Sequence, residues 1–141
     1  MTALDALPVE FLYTIHLDTG TPTMVKDGPM GTRIIAPVTG GTFEGPRMKG
    51  TVIGPAGDWV TVSASGQMTL DVRLCLITDD GAAIYCTYRG LLLRSETGAR
   101  ALAAPLFETG DERYAWLNAV QGVGIGTAGA DGVAYDIYAI R

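Results

Sequence analysis

Between Val9 and Leu17 (VEFLYTIHL) apolar and polar positions alternate, with Phe11, Tyr13, Ile15 and Leu17 on one face and Leu12, Thr14 and His16 on the other. That period of two predicts a first strand. Turn residues follow at Asp18–Pro22 and again at Lys26–Gly31, so the piece between them is a loop or a short edge strand. Arg33–Val38 (RIIAPV) predicts a second strand, with Pro37 placing its end at an edge or a bulge because proline has no ladder donor. From Gly40 to Gly57 the apolar runs are cut by Gly40–Gly41, Gly45–Pro46, Gly50, Gly54–Pro55 and Gly57, a density that predicts bulges and corners where a sheet curls closed.

Val60–Ser63 reads as a short strand, and Met68–Thr78 as a long one that meets Ala82–Arg89 across the loop Asp79–Asp80–Gly81. A three-residue loop sets Asp71 opposite Arg89, Arg73 opposite Thr87 and Cys75 opposite Tyr85. Val72, Leu74 and Leu76 then face Tyr88, Cys86 and Ile84. One face of the hairpin is polar and the other apolar. Ser95–Ala103 is the one stretch that predicts a short helix, weakened by Gly98. Pro105–Glu108, Tyr114–Val123 and Val133–Ile140 read as strands, with a turn at Ala128–Gly132. Many short strands with almost no helix predict an all-β fold, and an antiparallel closed barrel of about eight to ten strands removes the exposed edges.

Length and composition fit one domain. The 141 residues contain no long polar tract to divide them, and a hydrophobic fraction of 48% supports a single core. No apolar run approaches the roughly 20 residues of a membrane span, and the start MTALDALPVE has no secretory pattern, so a cytoplasmic address is expected. A net charge of -5 with scattered arginines argues against a nucleic-acid partner. Cys75 and Cys86 are expected as buried thiols, not a disulfide.

Three blocks, APVTGGTFEGPRMKG with the following GDW, LDVRLCLITDDGAAIY and ETGDERYAWLN, resemble the family known as domain of unknown function 3237 or uncharacterised protein family 0311. The resemblance runs from Arg33 almost to the C-terminus. It implies a small β-barrel of bacteria and fungi, usually cytosolic, whose interior could host a small molecule, and it brings no catalytic motif.

The chemistry-bearing residues form small groups. If Tyr114–Asn118 (YAWLN) is extended, Tyr114, Trp116 and Asn118 share a face and make an aromatic wall with a phenol and an amide, suited to an aromatic or polycyclic ligand. The structural alternative is a barrel plug in which Asn118 satisfies backbone groups. Asp71, Arg73 and Arg89, with Tyr85, line the polar face of the hairpin. Pointing inward they would mark a site; pointing outward they form a solvated ladder. Glu108, beside the Tyr-Trp segment, is the candidate general acid or base, with a surface glutamate as its alternative. His16 is the single histidine. It is either an acid–base group or a hydrogen-bonded strand residue, and alone it makes a metal site improbable. Arg33, Glu44 and Asp58 remain supporting candidates. Gly122–Val123–Gly124–Ile125–Gly126 lacks the strand–helix context of a dinucleotide loop, and no cofactor is expected.

Two functions follow. One is a cofactor-independent enzyme of isomerase, cyclase, hydratase or lyase type acting on a hydrophobic oxygenated small molecule, with Tyr114 and Glu108 as acid and base and Arg73 or Arg89 holding an enolate or carboxylate. The other is a binding or carrier protein, or an oligomerising barrel with no ligand.

Overall fold

A computed structural model describes residues 2–130 and 132–141. Asp131, in the expected turn Ala128–Gly132, lies outside the described residues. Ten strands run in chain order: β1 Val9–Thr19, β2 Thr23–Gly28, β3 Gly31–Glu44, β4 Lys49–Val62, β5 Met68–Thr78, β6 Ala83–Ser95, β7 Gly98–Ala103, β8 Leu106–Glu108, β9 Gly122–Gly129 and β10 Gly132–Ile140. A 3₁₀ helix, Glu112–Ala119, separates β8 from β9. All pairings are antiparallel, and β1 joins both β10 and β3, which closes an eight-stranded barrel. β2 and β8 are outer strands, added to β3 and β6.

The hairpin has the register expected from its polarity: Asp71 pairs with Arg89, Arg73 with Thr87 and Cys75 with Tyr85. Gly81 takes a positive φ of 93° in the loop, a conformation that disfavours a side chain. Val72, Leu74, Leu76, Ile84, Cys86 and Tyr88 are buried and face the lumen, so the polar face points outward. Register shifts at Pro37/Gly41 and Ile53/Gly57 locate the bends of the glycine-rich stretch. The second irregularity adds two residues to β4, an even number, so Asp58, Val60 and Val62 stay on the lumenal face that Val52 occupies.

Four expectations are corrected. Ser95–Ala103 is not helical: β6 turns at Glu96–Thr97 into β7, because pairing of β7 with both β6 and β9 outweighs a weak local helix preference. Tyr114–Val123 is not one strand: the 3₁₀ helix occupies Glu112–Ala119, capped by the Asp111 carboxylate accepting from the Arg113 N–H. In β1 a bulge between Phe11 and Tyr13 turns Phe11 outward and leaves both Leu12 and Tyr13 buried. Cys86 is buried in the lumen, but Cys75 is half-buried on the outer face; both are free thiols.

The two ends of the barrel differ. At the end where β5 meets β6, the 3₁₀ helix inserts Leu117, fully buried, and the Tyr114 ring under Met48 and the Tyr13–Phe43–Phe107 aromatic cluster. This is a plug. At the opposite end the inward residues Ile34, Val62, Met68, Leu92 and Val133 are only partly buried, and β2 carries Met24, half exposed, beside Ile34. This is a mouth. Leu117→Ala would empty the centre of the plug and should destabilise the fold by about 2–5 kcal/mol, measured by chemical denaturation.

Candidate functional site

The described lumen is lined mainly by apolar side chains; the Tyr13 phenol lies beside Cys86 toward the plug, and a second polar group lies below the mouth. Pairing of Asp58 with Val72, and of Val72 with Tyr88, places Asp58 and Tyr88 on one inward row of three strands, two inward rows below the Val62–Met68–Leu92 rim. Tyr135 enters from β10. Its ring packs edge-to-face on Tyr88, with centroids 5.4 Å apart. The adjacent strand β9 is stripped to make room: a Cβ on Gly126 would lie 2.7 Å from the Tyr135 ring, and one on Gly124 2.3 Å from Ile137. The alternating glycines of β9 thus house inward side chains of β10.

Asp58 Oδ1 accepts a hydrogen bond from the Asp71 N–H at 3.1 Å. Burial pushes its carboxyl up to about 6; the Asp71 N–H opposes the shift and the Asp71 carboxylate adds to it. Burial likewise raises both phenols, Tyr135 to about 12, with the neighbouring Tyr88 hydroxyl acting in the lowering direction. Near neutrality, therefore, Asp58 can gain or lose a proton beside two phenols that stay protonated.

The residues expected from sequence fall elsewhere. Tyr114, in the plug, donates to Asp80 at 2.9 and 3.0 Å, and Arg113 bridges Asp80 and Asp111. The phenol is raised by burial and by its bond to Asp80, whose carboxyl is lowered by the Thr78 hydroxyl and then by Tyr114. Trp116 lies under the Arg47 guanidinium, 3.6 Å from the ring centroid. Asn118 clamps Thr109, accepting from its N–H and donating to its C=O. Because the segment is a 3₁₀ helix, these three do not form a common wall. Glu108 is exposed on β8 opposite Tyr85, and His16 is exposed on β1. Arg33, exposed on β3, donates to the Thr61 hydroxyl. Asp71, Arg73, Tyr85 and Arg89 do come together, in an outward groove of about 530 Å³.

Asp58, Tyr88 and Tyr135 carried weak signals in the sequence. Reading the strand as starting at Val60 left Asp58 in a bend, although Asp58, Val60 and Val62 share parity; Tyr88 sits in an apolar alternation that disguises its hydroxyl. Among the described residues no cluster of three or more His, Cys, Asp or Glu is placed to hold a metal ion, and no helix is long and apolar enough to cross a membrane.

The barrel has solved counterparts. A β-barrel-like protein of Acinetobacter baumannii superposes with a TM-score of 0.90 at 29% identity over the full length of both chains. An enzyme from Penicillium herquei does so with a TM-score of 0.77 at 26% identity, again over both whole chains. In sequence, the hydroalkoxylation enzyme phnH of Penicillium herquei is 33% identical over 124 residues, 85% of this chain and 77% of that protein. A UPF0311 protein of Rhodopseudomonas palustris is 27% identical over 148 residues, 95% of this chain and 97% of the relative. With the model of the family described as protein of unknown function DUF3237 matching residues 7–140, the chain belongs to the DUF3237, or UPF0311, family of small β-barrels.

Proposed function

We propose that this barrel is a cofactor-independent acid–base enzyme that adds a substrate hydroxyl across a carbon–carbon double bond of the same hydrophobic molecule, closing a cyclic ether. The observation that carries the reading is the Asp58 carboxyl, raised to about 6 beside the Tyr88–Tyr135 pair under an apolar mouth. The similarity to a hydroalkoxylation enzyme supports the reaction class.

The chemistry needs one proton moved from oxygen to carbon. Protonated Asp58 donates to the alkene carbon; the hydroxyl oxygen attacks the other carbon and its proton returns to the carboxylate, restoring Asp58 without any external reductant or oxidant. The tyrosine hydroxyls hold the substrate oxygen, and Ile34, Met68, Leu92 and Val133 receive its apolar body. Methionines at a rim, Met68 and the half-exposed Met24 here, adapt to varied apolar shapes.

The test is incubation with a panel of 2-alkenylphenols in D₂O. The expected product is an isomeric cyclic ether carrying one carbon-bound deuterium. Binding of these compounds at the mouth, seen by NMR line broadening of Met68 and Leu92, with no deuterated ether formed, would sink the catalytic reading. Tyr114→Phe, remote in the plug, should leave turnover within about 2-fold of wild type, a smaller change than the roughly 100-fold expected of a group exchanging protons with substrate.

A further inference from the structure

On the outer face of the barrel, three adjacent rows combine two unpaired arginines with exposed aromatic and aliphatic side chains. Ile53 pairs with Cys75, Cys75 with Tyr85 and Tyr85 with Glu108; the next row is Gly57, Arg73, Thr87 and Leu106; beyond it Asp71 pairs with Arg89. Trp59 flanks the rows, with the Arg73 guanidinium 5.8 Å from its ring centroid. Asp71, Arg73, Tyr85, Arg89, Leu106 and, from the strand that also carries the lumenal row, Tyr88 border the groove of about 530 Å³, a size within the range of small-molecule sites.

The charges in this groove are unspent. Among the described residues neither Arg73 nor Arg89 has a carboxylate within 4.0 Å, whereas Arg47, Arg113 and Arg141 all do. Asp71, the one acidic lining residue, directs its backbone N–H to Asp58 and its carboxylate pairs with neither guanidinium. Two guanidiniums face one lining carboxylate, with Glu108 flanking the groove opposite Tyr85, and neither guanidinium is neutralised by an ion pair. The surrounding surface is apolar: Leu106 is 53% exposed and Trp59 and Tyr85 are each 41% exposed. Such isolated large side chains around paired positive charges suit a ligand with a flat apolar body and a carboxylate, because a guanidinium holds a carboxylate through two parallel hydrogen bonds while the ring lies on indole or phenol.

We infer that the outer groove at Asp71, Arg73, Tyr85, Arg89 and Leu106 is a binding site for a small aromatic carboxylate, separate from the lumen. The site lies across the barrel wall from Asp58 and does not depend on the function proposed for the lumen.

Benzoate is the probe, titrated into the full chain carrying Trp116→Phe so that fluorescence reports Trp59 alone. The site should saturate with a dissociation constant of about 1 mM or tighter. Inorganic phosphate and benzyl alcohol, which carry only the charge or only the ring, should each bind at least 10-fold more weakly. Arg73→Gln and Arg89→Gln should each weaken benzoate at least 10-fold, and Arg73→Lys, which keeps charge without the fork, about 3-fold or more. Benzyl alcohol binding as well as benzoate would overturn the proposal, as would affinity unchanged in both arginine variants. Loss of benzoate binding in Asp58→Asn with the arginine variants unaffected would place the ligand in the lumen and overturn it too. So would a sedimentation profile in which Arg73→Glu dissociates an oligomer and newly exposes Trp59 to quencher, since a second copy would then fill the groove.

Discussion

Asp58→Asn should abolish turnover while making the protein more stable at neutral pH. Removing a group that carries the proton typically lowers rate by about 10²- to 10⁴-fold, and the variant should also lose the bend near pH 6 in kcat/KM. The stability half follows from linkage. The carboxyl is raised from 3.8 to about 6 on folding. Below pH 3.8 it is protonated in both states and has no effect on stability. Between 3.8 and 6 the unfolded chain releases the proton first, so stability falls as pH rises, and above 6 the full penalty stands. Two pH units correspond to about 3 kcal/mol, reduced by the partial exposure of the group. Asparagine keeps the oxygen that accepts from the Asp71 N–H but adds an amide that needs a partner. A net gain of about 1 kcal/mol, roughly 3–4 °C in Tm, is expected at pH 8, shrinking to zero near pH 4. Thermal melts at the two pH values check the sign, and a variant that is less stable at pH 8, or that still turns over, contradicts the role given to Asp58.

That combination distinguishes a working carboxylate from a structural one. Asp80 and Asp111, at the plug, have carboxyls held below the ordinary value by the hydrogen bonds they accept, first from Thr78 and Arg113 respectively. Folding therefore favours their charged forms. Asp58 is the opposite case: burial favours its uncharged form, against the preference of a carboxylate for water. A fold that keeps such a group on the same lumenal row as Tyr88 does so at the expense of stability, as functional sites commonly do.

Much of the barrel was legible because its signals are local. The alternation of Met68–Thr78 against Ala82–Arg89 settled a register that the structure reproduces pair by pair, since a one-residue slip would have mixed polar and apolar faces. Closure was readable from the glycine-rich bends. The site was less readable because it depends on parity after a bulge. Local sequence does not say that the Ile53/Gly57 irregularity adds two residues, an even count that keeps Asp58 on the same lumenal face as Val52 where an odd one would have turned it to solvent. The plug was missed for a related reason: Tyr114–Asn118 has β-prone residues, but its place is set by the barrel end that Leu117 fills, not by its own alternation.

Gly126→Ala tests whether the wall of β9 is shaped for the tyrosine pair. The added methyl would lie 2.5 Å from the Ala134 carbonyl oxygen and 2.7 and 2.9 Å from two ring carbons of Tyr135. The carbonyl belongs to the β9–β10 ladder, where Gly126 pairs with Tyr135, so it cannot retreat without loosening the register. The ring must move instead, and its movement disturbs its edge-to-face contact with Tyr88. Overpacking of this kind should destabilise the fold by about 1–3 kcal/mol and reduce the near-ultraviolet circular dichroism of the tyrosines. Gly129→Ala supplies the control, because three residues further along the same strand a methyl meets nothing within 4 Å. Its stability should stay within about 0.5 kcal/mol of wild type. Equal melting curves for the two variants, with the tyrosine signal unchanged, would mean that β9 does not position Tyr135. In that event the proton-transfer role of Asp58 would have to be tested without a phenol pair beside it.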